Sequence, residues 1–271
     1  MMKFKILAIL TVLAVLAVPA FAQDNRLTVA GSTTVLPIAQ AAAEAYMDMH
    51  PEINISVRGG GSSVGIASII AGTADIGNAS RHAKTKELAT ARENGINLYE
   101  NVVANDGIAV VVNPSNSING LTTAQLKSIY AGEVQNWKEL GGPNKPIVII
   151  SRDTSSGTFE VFNNLVMSDS PVAAGALKLA SNNAVATTVS NTPGAIGYVG
   201  LGYLNASIKA ITIDNVMPTK KTIQNKEYPI ARTLHMYTNG KPTGLAKKFI
   251  DFIVSAKGQE IVEGQGFVSI N

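Results

Sequence analysis

No cysteine occurs in the 271 residues, which excludes structural disulfides and a lipid anchor on a thiol. Histidine is nearly as scarce. His50, His82 and His235 are the three in the chain, so a nucleophile-and-base pair has few places to form. No run of Lys or Arg suits nucleic acid, and beyond the first 22 residues no apolar stretch approaches a membrane span. Internal repeats and low-complexity tracts are also missing. No Gly-x-Ser-x-Gly elbow and no metal-ligand cluster of familiar spacing is present. The single Trp, Trp137, reads as a packing anchor under a loop.

What is present begins with a leader. Lys3 and Lys5 precede an apolar run from Ile6 to Val18, then Pro19-Ala20-Phe21-Ala22 with small residues at the cleavage positions. Residues 1–22 are expected to be removed near Ala22, leaving Gln23 first and a periplasmic or extracellular protein. Removal takes both leader lysines from the 22 basic residues and leaves 20 against 19 acidic ones. Any preference for anions therefore has to come from local geometry. The length suits one large or two modest domains.

Along the chain, strands alternate with helices, the pattern of an α/β layered fold. Strands are expected at 26–30, 53–57, 72–77, 108–112, 147–150, 208–214 and 232–237. Helices are expected at 38–49, 66–71, 84–94, 121–130, 245–254 and 258–263, with another opening at Ser156. The β-branched run Ile108–Val112 predicts a strand buried on both faces.

Four strand ends share one grammar: Gly31-Ser32-Thr33-Thr34, Gly61-Ser62-Ser63, Ala79-Ser80-Arg81, and Arg152 through Ser156-Gly157-Thr158. Each alone can be a helix cap or a surface loop. Helix N-termini offer unpaired N–H groups and a positive partial charge, hydroxyls add donors, and Arg152 supplies a planar fork. In an open α/β sheet such turns converge at the carboxyl ends of the strands. Four converging turns imply a small anion rich in oxygens.

In order and spacing, these motifs make the chain resemble the phosphate-binding proteins of high-affinity phosphate ABC importers, in the type 2 periplasmic-binding-protein class. The resemblance rests on Gly-Ser-Thr before Pro37, Gly-Gly-Gly-Ser-Ser-Val-Gly65, Asp75-Ile-Gly-x-Ala-Ser-Arg81 and Ile129-Tyr-Ala-Gly-Glu-Val-Gln-Asn-Trp137. Arg152-x-x-x-Ser-Gly-Thr158 and Pro193-Gly-Ala-Ile-Gly-Tyr198 complete it. It implies a two-domain clamp, each domain a mixed sheet flanked by helices, joined by two hinge crossings. Domain I would hold 23–112 with 204–271 and domain II 113–203, crossing near Val111–Pro114 and Gly200–Ile208. The implied phosphate ligands are Ser32, Thr33, Thr34, Ser62, Ser80, Arg81, Arg152, Ser156, Gly157 and Thr158. The implied partner is the membrane permease of an ABC importer, with the clamp a monomer that needs neither cofactor nor metal.

Some members carry Asp where this chain has Ser80, an acceptor for the proton of phosphate that penalises fully ionised sulfate. A Ser hydroxyl can accept or donate, which leaves another oxyanion (sulfate, molybdate, tungstate) open as the ligand. Arg81 either adds charge to the cleft or pairs with a surface carboxylate. A phosphate sensor and a serine hydrolase acting through Ser62 or Ser156 are the remaining alternatives, the hydrolase opposed by the missing base.

Overall fold

In the computed structural model, residues 25–270 are described; the expected leader 1–22 and its cleavage point lie outside them. The chain opens with β1 (Arg26–Gly31), α1 (Leu36–Met49), β2 (Asn54–Gly59), α2 (Ser62–Ile70), β3 (Ile76–Ala79) and α3 (Thr85–Glu93). Pro37 sits in the first turn of α1, where its missing N–H leaves nothing unpaired. Ile38, Ala39, Ala42, Ala43 and Tyr46 of that helix are buried, a helical stripe facing the sheet. The third strand begins later than the sequence suggests. Gly72 adopts φ +65°, and the Asp75 carboxylate accepts from the Thr28 N–H at 2.7 Å, so 72–75 form a turn instead.

β4 (Leu98–Val112) is the longest strand among those described and starts ten residues before the expected Ile108. Its first part groups polar residues in pairs, Glu100-Asn101 and Asn105-Asp106, without the strict alternation of a half-buried strand, which concealed it. After it come β5 (Gly120–Leu121), α4 (Thr123–Ala131), β6 (Val148–Arg152), α5 (Gly157–Phe162), β7 (Leu177–Leu179), α6 (Asn182–Asn191) and β8 (Ala195–Gly200). Thr122 caps α4 with a reciprocal bond to Gln125, and Gly132 ends it at φ +82°. The expected strand 208–214 divides into β9 (Lys209–Ala210) and β10 (Thr212–Ile213). α7 (Lys220–Gln224), β11 (Ala231–Asn239), α8 (Gly244–Val254) and α9 (Ala256–Gly264) complete the chain.

The main sheet runs β2-β1-β3-β11-β4-β8-β6-β7, with β9 on β4 and a separate β10-β5 pair. It is mixed: β1 is parallel to β2 and β3, while β11 and β4 are antiparallel. β4 changes partner in mid-strand. Leu98–Gly107 pair with β11, and Ile108–Val112 pair with β8.

The cores divide at the same point. Leu27, Val29, Ile38, Ile55, Val103, Leu234, Phe249 and Phe267 form one cluster. Ile108, Val110 and Val112 join Leu126, Trp137, Phe162 and Tyr198 in a second, while Ala109 and Val111 face Ile150, Val185 and Val199 on the opposite side. The period of two therefore buries both faces of 108–112, as expected. Ile211, Ile213, Ile223, Tyr228 and Ile230 also pack in the second cluster. Trp137 is fully buried and donates Nε1–H to the Gly194 carbonyl at 3.0 Å, an anchor for its loop. Among the described residues, no helix is long and apolar enough to cross a membrane.

Candidate functional site

The hydroxyl-rich turns do meet. β1 ends at Gly31, whose φ is +134°, and a Cβ there would lie 2.2 Å from the Asn78 carbonyl and 2.8 Å from Gly65 Cα. Only glycine lets the ends of β1 and β3 and the start of α2 close on one another. Ser32, Thr33, Thr34, Ser62, Ser80, Arg152, Ser156 and Thr158 are all buried, drawn from both lobes.

Thr34 Oγ1 lies 3.0 Å from Thr158 Oγ1 across the lobes. Ser62 Oγ accepts from the Ser80 N–H at 2.9 Å and is 3.3 Å from Ser80 Oγ. Gly157 stands against this pair: an added Cβ would come within 2.3 Å of Ser62 Oγ and 2.7 Å of Ser80 Oγ. Ser32 Oγ accepts from the Thr34 N–H, and Ser156 Oγ caps α5 by accepting from the Phe159 N–H. The rim is closed as well, since Ser63 N–H donates to the Ser155 carbonyl and Ser155 Oγ donates to the Gly60 carbonyl.

Arg152 lies at the end of β6, its backbone N–H held by the Tyr198 hydroxyl at 3.1 Å. Tyr198 stacks on Phe162 with centroids 4.1 Å apart, and burial pushes its pKa up to about 12, so it stays a neutral support. The Arg152 guanidinium is 1% exposed and donates to the carbonyls of Leu179 and Ala180 and to Thr33 Oγ1. Burial pushes its pKa down, but an arginine keeps its charge. Nη1 has no hydrogen-bond partner, and no carboxylate lies within 4.0 Å of this guanidinium among the described residues. A buried cation in this condition calls for an anion.

Arg81 goes elsewhere. It forms a two-pronged pair with Glu87 at 2.8 Å, approaches Glu160 at 3.1 Å, and donates to Ser63 Oγ and the His82 carbonyl. Burial would lower its pKa, but bonding to Glu87 and the charges of Glu87 and Glu160 raise it. Its charge is spent on those carboxylates, one from each lobe.

Four residues without a local sequence signal join the ring. Arg232, at the start of β11, pairs with the fully buried Asp106 at 2.8 Å and donates to Thr158 Oγ1, Thr34 Oγ1 and the Ser80 carbonyl. Burial pushes the Asp106 carboxyl up, against the pull of Arg232 and the Leu201 N–H. Asn182 donates to Thr33 Oγ1 at 3.1 Å and Thr34 Oγ1 at 3.0 Å while its carbonyl accepts from the Gly200 N–H. Ser181 before α6 is a readable cap, but nothing in it points 148 residues back to Thr34. Tyr203 also donates its hydroxyl to the Thr33 carbonyl.

This network fixes the direction of the protons. Thr33 Oγ1 already accepts from Asn182 and Arg152. Thr34 Oγ1 accepts from Asn182 and Arg232, so its proton goes to Thr158 Oγ1, which also accepts from Arg232; Thr33 and Thr158 thus have both lone pairs filled. A hydroxyl has one proton and two lone pairs, so each is left to donate. Fixed donors around one uncompensated cation can hold a tetrahedral oxyanion. Among the described residues no hydrogen bond joins Ser62 or Ser156 to a histidine, the base that a serine nucleophile requires.

The profile of the PBP superfamily domain matches residues 19–257. The phosphate-binding protein PstS of Bacillus subtilis is 37% identical over 249 residues, covering 91% of this chain and 81% of that protein. The protein of the same name from Borreliella burgdorferi is 34% identical, with 92% of each covered. Among solved structures, a Clostridium perfringens substrate-binding protein assigned to phosphate ABC transport, with bound phosphate, superposes with a TM-score of 0.84. It shares 34% identity and covers 91% of this chain and all of that one.

Proposed function

The chain belongs to the PBP superfamily, and from that premise we propose that it captures inorganic phosphate between its lobes and delivers it to the membrane permease of an ABC importer. The observation that carries this reading is the buried Arg152 guanidinium, with Nη1 unpartnered and Nη2 donating to the Thr33 hydroxyl. It accords with the phosphate-binding names of the relatives and with phosphate in the Clostridium perfringens structure. The protein acts as a binding component, not an enzyme.

In this reading Arg152, Thr33, Thr34, Ser62, Ser80, Gly157 and Thr158 surround the anion, with Ser32 and Ser156 shaping the turns. Arg81 is left out of the shell because two carboxylates hold it. Arg232, Asp106 and Asn182 orient the hydroxyls. The lobes are 25–106 with 231–270, and 108–230. The return to the first lobe moves from residue 204 to 231 because Ile211, Ile213, Ile223, Tyr228 and Ile230 pack with the second core. Phosphate draws the lobes together only through contacts that both supply at once, such as Thr34 and Arg152. The leader places the mature chain outside the cytoplasm, as a monomer.

Selectivity then rests on hydroxyls. Asp106 already accepts from Arg232 and Leu201, while Ser80 Oγ can accept the proton of phosphate or turn to donate to sulfate. We therefore expect sulfate in large excess to compete. The test is calorimetric titration of the mature protein, stripped by unfolding and refolding, with phosphate and then with sulfate as competitor. One-to-one phosphate binding of about micromolar affinity or tighter, lost in Arg152→Ala, supports the reading. Sulfate, molybdate or tungstate binding in place of phosphate overturns the ligand.

A further inference from the structure

We propose that His82, Glu100 and His235 form a site for a zinc-class divalent transition metal, outside the anion-binding ring. One ligand atom from each lies within 4.8 Å of the others. His82 Nδ1 is 3.0 Å from Glu100 Oε2, and His235 Nδ1 is 3.2 Å from Glu100 Oε1. The imidazole centroids are 4.7 Å apart. In a tetrahedral zinc site with bonds of about 2.0–2.1 Å, neighbouring ligand atoms stand about 3.3 Å apart. Each histidine stands at about that spacing from a different oxygen of Glu100, so one must shift for a single oxygen to serve both, and His82, 74% exposed, can make that adjustment.

The fold prepares the cluster. β11 pairs with β4 so that Tyr237 lies opposite Glu100, and the register breaks between Leu234 and His235. Such a bulge re-aims the side chain beside it. On the other edge of β11, His235 pairs with Ala79 at the end of β3, and the chain continues through Ser80 and Arg81 to bring His82 alongside. Glu100 is gripped by the Tyr237 hydroxyl, and His235 Nε2 lies 2.9 Å from Thr233 Oγ1. Outer contacts of this kind fix the orientation of metal ligands.

The second observation is His235 itself. The side chain is fully buried, yet Nδ1 makes no hydrogen bond although it faces a carboxylate oxygen at 3.2 Å. Thr233 Oγ1 can either donate to Nε2 or accept from it; in the tautomer with Nε2–H donating, Nδ1 turns a lone pair toward Glu100, and a cation between them reconciles the two acceptors. Two imidazoles and one carboxylate suit zinc or cobalt better than magnesium or calcium. His82 and His235 line a groove of about 930 Å³, which supplies an entry path and an open fourth position.

The test uses the mature, tag-free chain, treated with chelator and held in phosphate-free buffer so that zinc does not precipitate. Zn²⁺ is titrated by calorimetry, and Co²⁺ by visible absorption. One-to-one zinc binding and a four-coordinate cobalt spectrum are expected. His82→Ala and Glu100→Gln should each weaken binding at least about tenfold, the second without a change of shape. His50→Ala, at the exposed His50–Glu52 pair, should leave it unchanged. Zinc binding weaker than about 100 μM, binding unaltered in both His82→Ala and Glu100→Gln, or binding lost in His50→Ala would overturn the proposal.

Discussion

Arg152→Met and Arg232→Met remove the same charge from the same ring, yet their effects on the ligand-free protein should differ. At Arg152 the change takes away a buried cation without an ion-pair partner, whose desolvation costs several kcal/mol. Against that, the Leu179 and Ala180 carbonyls each lose a donor, at about 1–3 kcal/mol apiece. The two terms oppose each other at similar size, so the stripped variant should stay within about 2 kcal/mol of the parent, roughly 4–8 °C in Tm for a chain of this length. At Arg232 the change abandons Asp106, which is fully buried. Breaking such a pair costs about 3–5 kcal/mol, or roughly 6–20 °C.

Phosphate should show the opposite pattern for Arg152. Two charge-assisted hydrogen bonds at about 1.5–3 kcal/mol each correspond to an affinity loss of roughly 10²–10⁴-fold. Phosphate at a hundred times the parental Kd stabilises the parent by about 2.7 kcal/mol, and this shift should vanish in Arg152→Met. Differential scanning calorimetry of stripped protein, with and without phosphate, reads both quantities. If Arg152→Met melts as low as Arg232→Met, or keeps the phosphate shift, the account of Arg152 as an unpaired ligand-binding cation is wrong.

Gly157→Ala should fold normally but lose at least about tenfold in phosphate affinity, because its methyl meets Ser62 and Ser80 in the closed form; calorimetry at parental affinity would contradict the packing. Trp137→Ala should cost about 3–5 kcal/mol, seen in denaturant unfolding, with phosphate affinity retained under native conditions. The raised Asp106 pKa implies a stability contribution that is full below the unfolded value of about 3.9 and lost as pH rises through the folded value. Melting from pH 3.5 to 7 should therefore show the parent losing ground to Asp106→Asn as pH rises; the reverse slope would mean that Arg232 outweighs burial.

The four hydroxyl turns were legible because each is a local event: a strand ends, a glycine or serine turns the chain, and a helix or loop begins. Their convergence followed from the α/β alternation. Arg232 and Asp106 were not legible, because they are 126 residues apart and meet only through the β4–β11 ladder. Asp106 also precedes an apolar run and reads as a strand boundary rather than as a charge inside a strand. Arg81 was half legible. Its partner Glu87 lies six residues on, but Glu160 comes from the other lobe. The His82, Glu100 and His235 ligands have no recognisable spacing, since a sheet register and a bulge assemble them. The length of β4 was hidden by its polar first half, and the packing of 208–230 by the break into two-residue strands.

The partner change in β4 has a mechanical consequence. In the two-lobe division proposed above, the crossings fall at Gly107 and Ala231, which are paired neighbours in one ladder. Two adjacent connections permit rotation about a single line and resist sliding. Asp106 and Arg232 form the next rung, beside that line, where displacement on rotation is smallest. The Thr34–Thr158 and Gly60–Ser155 contacts join residues from opposite lobes and part when the lobes rotate. An open-form structure with the Asp106–Arg232 pair broken would contradict this. In that reading the pair is an axle pin: on opening the site gives up its cross-lobe contacts and keeps the arginine that restores their alignment when the lobes swing back.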